Sequence, residues 1–334
     1  MISPYEHKGK GMKELDTVLG ALLLASSFAA ILAGCAGPQV PEGKAPPAVK
    51  AGNLKLDHVV ILVNDLAKGM QGYTALGFTV TPGGEHKALG THNALIPFED
   101  GSYIELIAFK QRSVPVGTTI PKPTRHLQLF KAKKSPVERR FLAWETSGEG
   151  LVDFALVPSD IEAVIAAARA GGLTLEGPFP GNRTRPDGQE VAWKCGMPTT
   201  PDVPFLCADV TPRSLRVPEG PARQHANGVT GVKRLVVGVK DMKTSASRYK
   251  ALLGADPQAG TSGRFPDVRT MDFALGSSFI TLATPLDKSA PLNRRLLARG
   301  EGPCALILRT NNKVAQGWLD PAKTSGARIE LAVE

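Results

Sequence analysis

The sequence has 334 residues, of which 42% are hydrophobic and 21% are charged. These fractions are ordinary for a soluble globular protein, and the length predicts two domains rather than one small core. The net charge is +9, but the basic residues form no dense stripe with interleaved aromatic residues, so nucleic acid is not expected as a partner. The short basic cluster at 131–134 and 139–140 is interpreted as a solvated surface.

The first 35 residues differ from the rest of the chain. Lysines precede an uncharged, alanine-rich run at 17–34, which is short for a permanent membrane span. The run ends in Leu32-Ala33-Gly34-Cys35, which resembles the lipobox of bacterial lipoproteins. The resemblance implies cleavage before Cys35, a diacylglycerol on its thiol and a lipid anchor in the membrane. The alternative is an ordinary signal peptide with a chance cysteine.

The segment that follows is expected to separate the anchor from the folded part. Residues 36–53 are rich in Pro, Gly and Ala, and this composition predicts a flexible tether. Ala36 resembles the outer-membrane sorting signal of Gram-negative lipoproteins. The expected location is therefore the cell envelope, on the periplasmic side of the outer membrane.

Three further cysteines follow in the body of the chain. Cys195 and Cys207 flank a Pro-rich loop, and one interpretation is a disulfide across a hairpin. Cys304 lies in an apolar run and is expected to be a buried free thiol.

Internal similarity is the main signal of the body. The segments at 56–78 and 232–254 each read as an apolar strand, an Asp at a helix entrance, a helical apolar period and a terminating glycine. In both copies two further strand patterns follow around a turn, at Glu99-Asp100-Gly101 and at Gly276. Each copy is therefore predicted to be a βαβββ module.

Two weaker copies begin at Leu151 and Cys304. The last one gives a strand, a helix and a strand and lacks the final strands. The sequence thus predicts an α+β fold of three full βαβββ modules and one truncated module, which form cupped mixed sheets. We assign two paired modules to residues 54–217 and the remaining full and truncated modules to residues 218–334.

This arrangement resembles the glyoxalase-like branch of the vicinal oxygen chelate superfamily. The resemblance is carried by LDHVVILVNDL, GTHNALIPFEDGSYIELIAF, NRTRPDGQEVAW, PFLCADVTPRSLRVP and HANGVTGVKRLVVGVKD. It implies that paired modules enclose a cup that holds the active site. It also implies a divalent metal (Zn, Mn, Fe or Ni) with ligands from the first and last strands of the modules.

The matching positions for a metal are His58 and Glu105, with Arg234 and Thr281 at the corresponding positions of the third module. Only two ligands are found in this way, or three if His92 points inward, whereas such a metal normally has about four protein ligands. Glu105 lies between two apolar residues, so by alternation it points to solvent or into the cup. In the cup it would be a ligand or a general base, and hence the candidate catalytic residue. The alternative for His58 is a satisfied polar group inside a sheet.

The candidate substrate-binding residues are His92, Asn93, Arg183, Arg185 and Trp193. Two guanidiniums near a turn can hold a carboxylate or a phosphate, although Arg185 and Asp187 can equally stabilise the turn itself. Trp193 can stack on a planar ligand or fill the core.

Three functions stay open at this point. The first is an enzyme of the lyase, isomerase or dioxygenase type that acts on a small molecule with a bound metal. The second is a metal-free protein that binds or sequesters an acidic or aromatic small molecule. The third is a structural envelope protein with a vestigial cup.

Overall fold

The computed structural model describes residues 54–111, 135–260 and 267–333. The predicted signal peptide, Cys35, the tether and the lysines at 131–134 lie outside the described residues. Among the described residues, no helix is long and apolar enough to cross a membrane.

The first half contains two modules with an extra helix between them. The first module comprises β1 (Leu54–Leu62), α1 (Leu66–Ala75), β2 (Thr81–His86), β3 (Thr91–Pro97) and β4 (Tyr103–Phe109). The extra helix is α2 (Pro136–Ser147). The second module comprises β5 (Gly150–Pro158), α3 (Ile161–Ala170), β6 (Leu175–Thr184), β7 (Glu190–Pro198) and β8 (Phe205–Asp209), and the short helix α4 (Arg213–Arg216) follows it.

The second half contains one module and part of another. The third module comprises β9 (Val229–Gly238), α5 (Met242–Leu253), β10 (Gln258–Ala259), β11 (Val268–Leu275) and β12 (Ser278–Pro285). Helix α6 (Pro291–Arg299) follows, and the last part comprises β13 (Gly302–Thr310), β14 (Gly317–Trp318) and β15 (Ile329–Ala332).

The three module helices begin in the same way. Asp65 accepts a hydrogen bond from the Lys68 backbone N–H, Asp160 from that of Ala163, and Asp241 from that of Thr244. Each carboxylate satisfies a free N–H group of the first turn. The predicted capping role of these aspartates is confirmed.

The strands form two sheets. Strands β1 to β8 close into a barrel in the order β1-β4-β3-β2-β6-β7-β8-β5, and β9 to β15 form a seven-stranded sheet in the order β10-β11-β12-β9-β13-β15-β14. In the barrel β1 pairs in parallel with β4 and antiparallel with β5. The predicted α+β class with cupped mixed sheets is confirmed.

The main core lies outside the barrel cup. Val59 and Ile61 of β1 and Leu235 and Leu306 of the second sheet belong to the same buried apolar cluster, to which α1, α3 and α5 contribute side chains. The Tyr249 hydroxyl of α5 donates to the carbonyl of buried Asp202, 2.7 Å away. The core therefore joins both halves, and the inner face of the barrel is left to form the cup.

Three expectations are corrected by the structure. The last copy has a 3₁₀ turn at Lys313–Ala315 where an α-helix was expected. Arg140 of the basic cluster is buried, because its guanidinium makes an ion pair with Asp153. Cys195 and Cys207 are directly opposite each other on β7 and β8, but both are free thiols, so the interpretation of a disulfide between them is not supported.

Candidate functional site

The cup of the barrel contains a cavity of about 360 Å³. Because side chains alternate along a strand, β1 and β4 present His58, Tyr103 and Glu105 on its wall. The two strands are parallel and in register, with His58 opposite Tyr103 and Val60 opposite Glu105. This register brings the histidine and the carboxylate, which are far apart in the sequence, to neighbouring positions on one wall.

His58 is held between two carboxylates. Its Nδ1 lies 2.8 Å from Asp57 Oδ2, and its Nε2 lies 3.5 Å from Glu105 Oε2. All three residues are buried. Because an ionised Asp57 accepts the Nδ1 proton, Nε2 is the ring atom left to face Glu105. At this distance Nε2 and the Glu105 carboxylate can share a proton or another cation between them.

Asp57 is in turn fixed by arginines. Arg216 Nη1 lies 2.9 Å from Asp57 Oδ2, and Arg213 Nη2 lies 2.7 Å from Asp57 Oδ1. Burial acts to raise the pKa of Asp57, but the Arg216 and Arg213 charges and the contact with His58 outweigh it, so this pKa lies well below its usual range. Arg216 also forms an ion pair with Asp209. The network keeps Asp57 ionised and so fixes the orientation of the His58 ring.

A second imidazole faces Glu105 from β2. His86 Nε2 lies 4.0 Å from Glu105 Oε1, and His86 Nδ1 lies 3.0 Å from Thr91 Oγ1. Burial lowers the pKa of His86 to about 4, with a smaller effect of Arg183 in the same direction. At neutral pH His86 is therefore uncharged. Sequence reasoning missed this residue, because TPGGEH has no apolar alternation that would mark a strand.

The predicted binding residues of β3 lie on opposite faces. Asn93 Nδ2 donates to Glu105 Oε1 at 2.6 Å, so Asn93 orients the carboxylate. His92 is the neighbouring residue, so its side chain points to the other face of the strand, away from the cavity. It is not among the residues of the cavity wall, and it lies opposite Glu85 in the β2–β3 pair. The expectation that His92 points into the cup is wrong.

The two predicted guanidiniums also separate. Arg183 is buried on the cavity wall, and its Nη2 donates to the Arg216 carbonyl at 2.6 Å. Arg185 is outside, where its Nη2 lies 2.9 Å from Asp187 Oδ2 and its Nη1 donates to the Leu215 carbonyl. Arg185 thus stabilises the turn, and its expected role in ligand binding is not supported by this position.

Aromatic side chains make up much of the remaining wall. Trp193 of β7 is on the wall and makes an edge contact with His86, with ring centroids 5.8 Å apart. Helix α2 covers the cavity with Phe141 and Trp144. The Trp144 Nε1 donates to Asp153 Oδ2 at 2.7 Å, which fixes this helix to β5. The cavity therefore combines one polar wall with an apolar remainder.

A larger cleft of about 820 Å³ lies between α2 and α6. None of His58, Glu105 and Arg183 reaches it. Its Arg299 donates to the backbone carbonyls of Glu149, Gly148 and Leu151, and so joins the two halves. We place the candidate site in the barrel, where the buried ionisable groups converge.

The family model of the glyoxalase-like domain matches residues 56–253, which is more than half of the chain. The chain belongs to the glyoxalase-like domain family. A hypothetical protein from Staphylococcus aureus is 16% identical, with a TM-score of 0.61 over 84% of this chain and 100% of its own. A triple mutant of 4-hydroxymandelate synthase from Streptomyces coelicolor is 14% identical, with a TM-score of 0.50 over 81% of this chain and 78% of its own.

At these identities the two solved structures show a shared fold and no more. No curated protein matches the chain.

The donors around Glu105 can be compared with the metal that this family implies. His58 Nε2 lies 3.5 Å from one Glu105 oxygen, and His86 Nε2 lies 4.0 Å from the other. Asn93 already donates a hydrogen bond to the second of these oxygens. Within the described ranges, no group of three or more His, Cys, Asp or Glu side chains is placed to hold a metal ion. Within this part of the chain the arrangement gives no support for the expected divalent metal, which stays a prediction.

Proposed function

We propose that the barrel cavity of this glyoxalase-like protein is an active site that binds a small organic molecule and transfers a proton through Glu105 and His58. The observation that carries the proposal is the 3.5 Å approach of His58 Nε2 to Glu105 Oε2 on the wall of the barrel cavity. A proton held between these atoms can be given to, or taken from, a ligand atom placed beside them.

The surroundings support this role. Asp57 holds the His58 ring in one orientation, and Asn93 holds the Glu105 carboxylate. Both reacting groups are therefore positioned before a ligand enters, which lowers the cost of reaching the reactive geometry. The apolar remainder of the wall lowers the local dielectric constant and so strengthens the charge interactions.

The test is proton exchange at carbon. Full-length protein in D₂O is incubated with a panel of aryl alkyl ketones and arylpyruvic acids, whose C–H groups beside the carbonyl are acidic, and loss of the proton signal is followed by NMR. We expect accelerated exchange that falls by about 10²–10⁴-fold in Glu105→Gln. Glu85→Gln is the matched control, because Glu85 lies outside the cavity beside Lys110.

The outcomes separate the alternatives. Equal exchange by the wild type and Glu105→Gln would rule out Glu105 as the proton-transfer group. Binding of panel members without any exchange would favour the second function, retention or sequestration of a small molecule, for which the aromatic wall under α2 is equally suited.

The metal prediction has a separate measurement. Elemental analysis of protein purified without added metal detects Zn, Mn, Fe or Ni. A stoichiometric ion that is lost in both His58→Ala and Glu105→Ala would place a divalent metal between these residues and would replace the bound proton in this proposal.

We further propose that the protein acts in the cell envelope. The lipobox-like Leu32-Ala33-Gly34-Cys35 supports a lipid on Cys35, and residues 36–53 would then tether the body to the outer membrane. In the native host, Cys35→Ser should move the protein from the membrane fraction to the soluble fraction. An unchanged distribution would leave an ordinary signal peptide as the better interpretation.

A further inference from the structure

Arg183 carries a buried guanidinium that forms no ion pair with a carboxylate of the described residues, although Glu105 is near enough to act on its charge. The residue is 3% exposed, and its Nη2 donates to a backbone carbonyl. Its Nε is buried and has no hydrogen-bond partner among the described residues. Burial lowers the pKa of Arg183, because the charged form loses its hydration there. A buried donor and charge of this kind is costly unless a partner binds it.

The other guanidinium on the cavity wall differs in this respect. Arg216 is paired with Asp57 and Asp209, and its Nη1 also donates to the Tyr103 hydroxyl at 2.7 Å. Arg213, which is farther from the cavity, is paired with the same two carboxylates. Among the described wall residues, Arg183 is thus the guanidinium that keeps a donor for a ligand.

The rest of the wall selects the body of the ligand. Trp193, Phe141 and Trp144 present aromatic surface to the cavity. A volume of about 360 Å³ lies at the small end of the roughly 300–1,000 Å³ that is usual for ligand pockets. The cavity therefore suits a molecule with one or two rings rather than a large cofactor.

Gly181 shapes the flat part of this wall. It lies opposite Trp193 in the β6–β7 pair, and a Cβ on Gly181 would lie 2.3 Å from Trp193 Nε1. The missing side chain lets the indole lie along the strand, two residues from Arg183. A planar ring against Trp193 thus has a cation near its edge.

We propose that the ligand of this cavity is an aromatic carboxylate, with its carboxylate on the Arg183 guanidinium and its ring between Trp193 and α2. The inference rests on the proposed function and names the substrate class of that same site. A singly charged group fits better than a phosphate, because Glu105 shares the cavity and a dianion would meet that charge with one available cation.

The experiment compares matched acids and amides. Full-length protein is tested with benzoate, phenylacetate and 2-naphthoate and with their carboxamides, by the shift in Tm and by calorimetric Kd. We expect at least one carboxylate to bind at least 10-fold more tightly than its carboxamide. Arg183→Met should remove this preference, and Arg185→Gln, two residues away and outside the cavity, should keep it.

Arg183→Lys is the second variant, because it keeps the charge if Arg183→Met does not fold. It should weaken binding of the carboxylate and leave binding of the carboxamide unchanged. If the carboxamides bind as tightly as the acids, or if no Arg183 variant changes the preference, the carboxylate class is overturned. In that case, if both the acids and the carboxamides bind to the wild type and neither binds to Trp193→Ala, the proposed function is still supported. If no acid and no amide shifts the Tm of the wild type, the carboxylate class is overturned, and the proton-exchange experiment separately decides the proposed function.

Discussion

The two halves of the molecule carry different chemistry at corresponding positions. In the barrel, β1 and β4 place His58 against Tyr103, with ring centroids 4.7 Å apart. In the second sheet, β9 and β12 place Arg234 over the Phe279 ring, 5.0 Å from its centroid. Two residues further along, Glu105 of the barrel corresponds to Thr281.

The polar side chains of the second sheet are paired with one another. Arg234 Nη1 lies 2.6 Å from Asp272 Oδ1, and the Thr281 hydroxyl donates to the same oxygen at 2.6 Å. In the barrel, by contrast, His58 and Glu105 face each other across a cavity. The comparison teaches that one module geometry supports either a local ion pair or a histidine and a carboxylate that face a cavity, depending on the side chains at a few register positions.

The largest expected difference between the halves is in stability. Asp57→Ala should destabilise the protein by about 3–5 kcal/mol, because it leaves buried Arg216 with one carboxylate fewer. Asp272→Ala should cost about 1–3 kcal/mol, since Arg234 is less buried and keeps its contact with Phe279. Urea denaturation with an unchanged m value measures both. Equal losses of unfolding free energy in the two variants would contradict the expected difference between the two networks.

The next difference is in pH dependence. The pKa of His86 is about 4 in the folded protein and about 6.5 in the unfolded chain, so the unfolded state binds the extra proton first as pH falls. The contribution of the neutral His86 to the free energy of unfolding is complete above pH 6.5. It falls by about 3 kcal/mol by pH 4. His86→Gln should lack this loss.

The second sheet provides the contrast, because no histidine follows residue 225 in the sequence. Denaturation curves of the wild type and His86→Gln between pH 7 and pH 4 give the measurement. Parallel curves over this range would show that His86 is not held neutral by burial.

A smaller effect is expected at the aromatic wall. Gly181→Ala should cost about 1–3 kcal/mol, because the new Cβ displaces the Trp193 ring. Trp193→Phe should recover part of this loss in the double variant, since the smaller ring leaves the space free. A double-mutant cycle measures the coupling, and purely additive losses would disprove the contact.

The helix caps are the place where the halves should behave alike. Asp65→Ala and Asp241→Ala should each cost about 1 kcal/mol, since each removes one acceptor from a first turn. The two midpoints in urea give this comparison. A difference well above this value would show that one cap has a second role.

Local features of the repeat were predictable from the sequence. Aspartates before apolar helical periods marked the starts of helices, and Gly77 and Gly276, both with positive φ, marked turns. The approach of His58 to Glu105 followed from their places on the first and last strands of one module. These features depend on neighbours in the chain or on a fixed module geometry.

The rest depended on contacts between distant segments. His92 was misplaced because a shift of one residue moves a strand side chain to the other face. His86 and the arginine network of α4 could not be found, because Arg216 contacts Asp57 across 159 positions of sequence. No period or motif of the sequence encodes that encounter.

Helix α2 lies between two modules and belongs to neither, yet it supplies Phe141 and Trp144 to the cavity. Its side chains can therefore be exchanged without breaking any strand pairing of the barrel. Selectivity for the body of a ligand can diverge through this insertion, while the strands that hold the ionisable groups stay constrained by their register. The same barrel can in this way accept new molecules and retain the approach of His58 to Glu105.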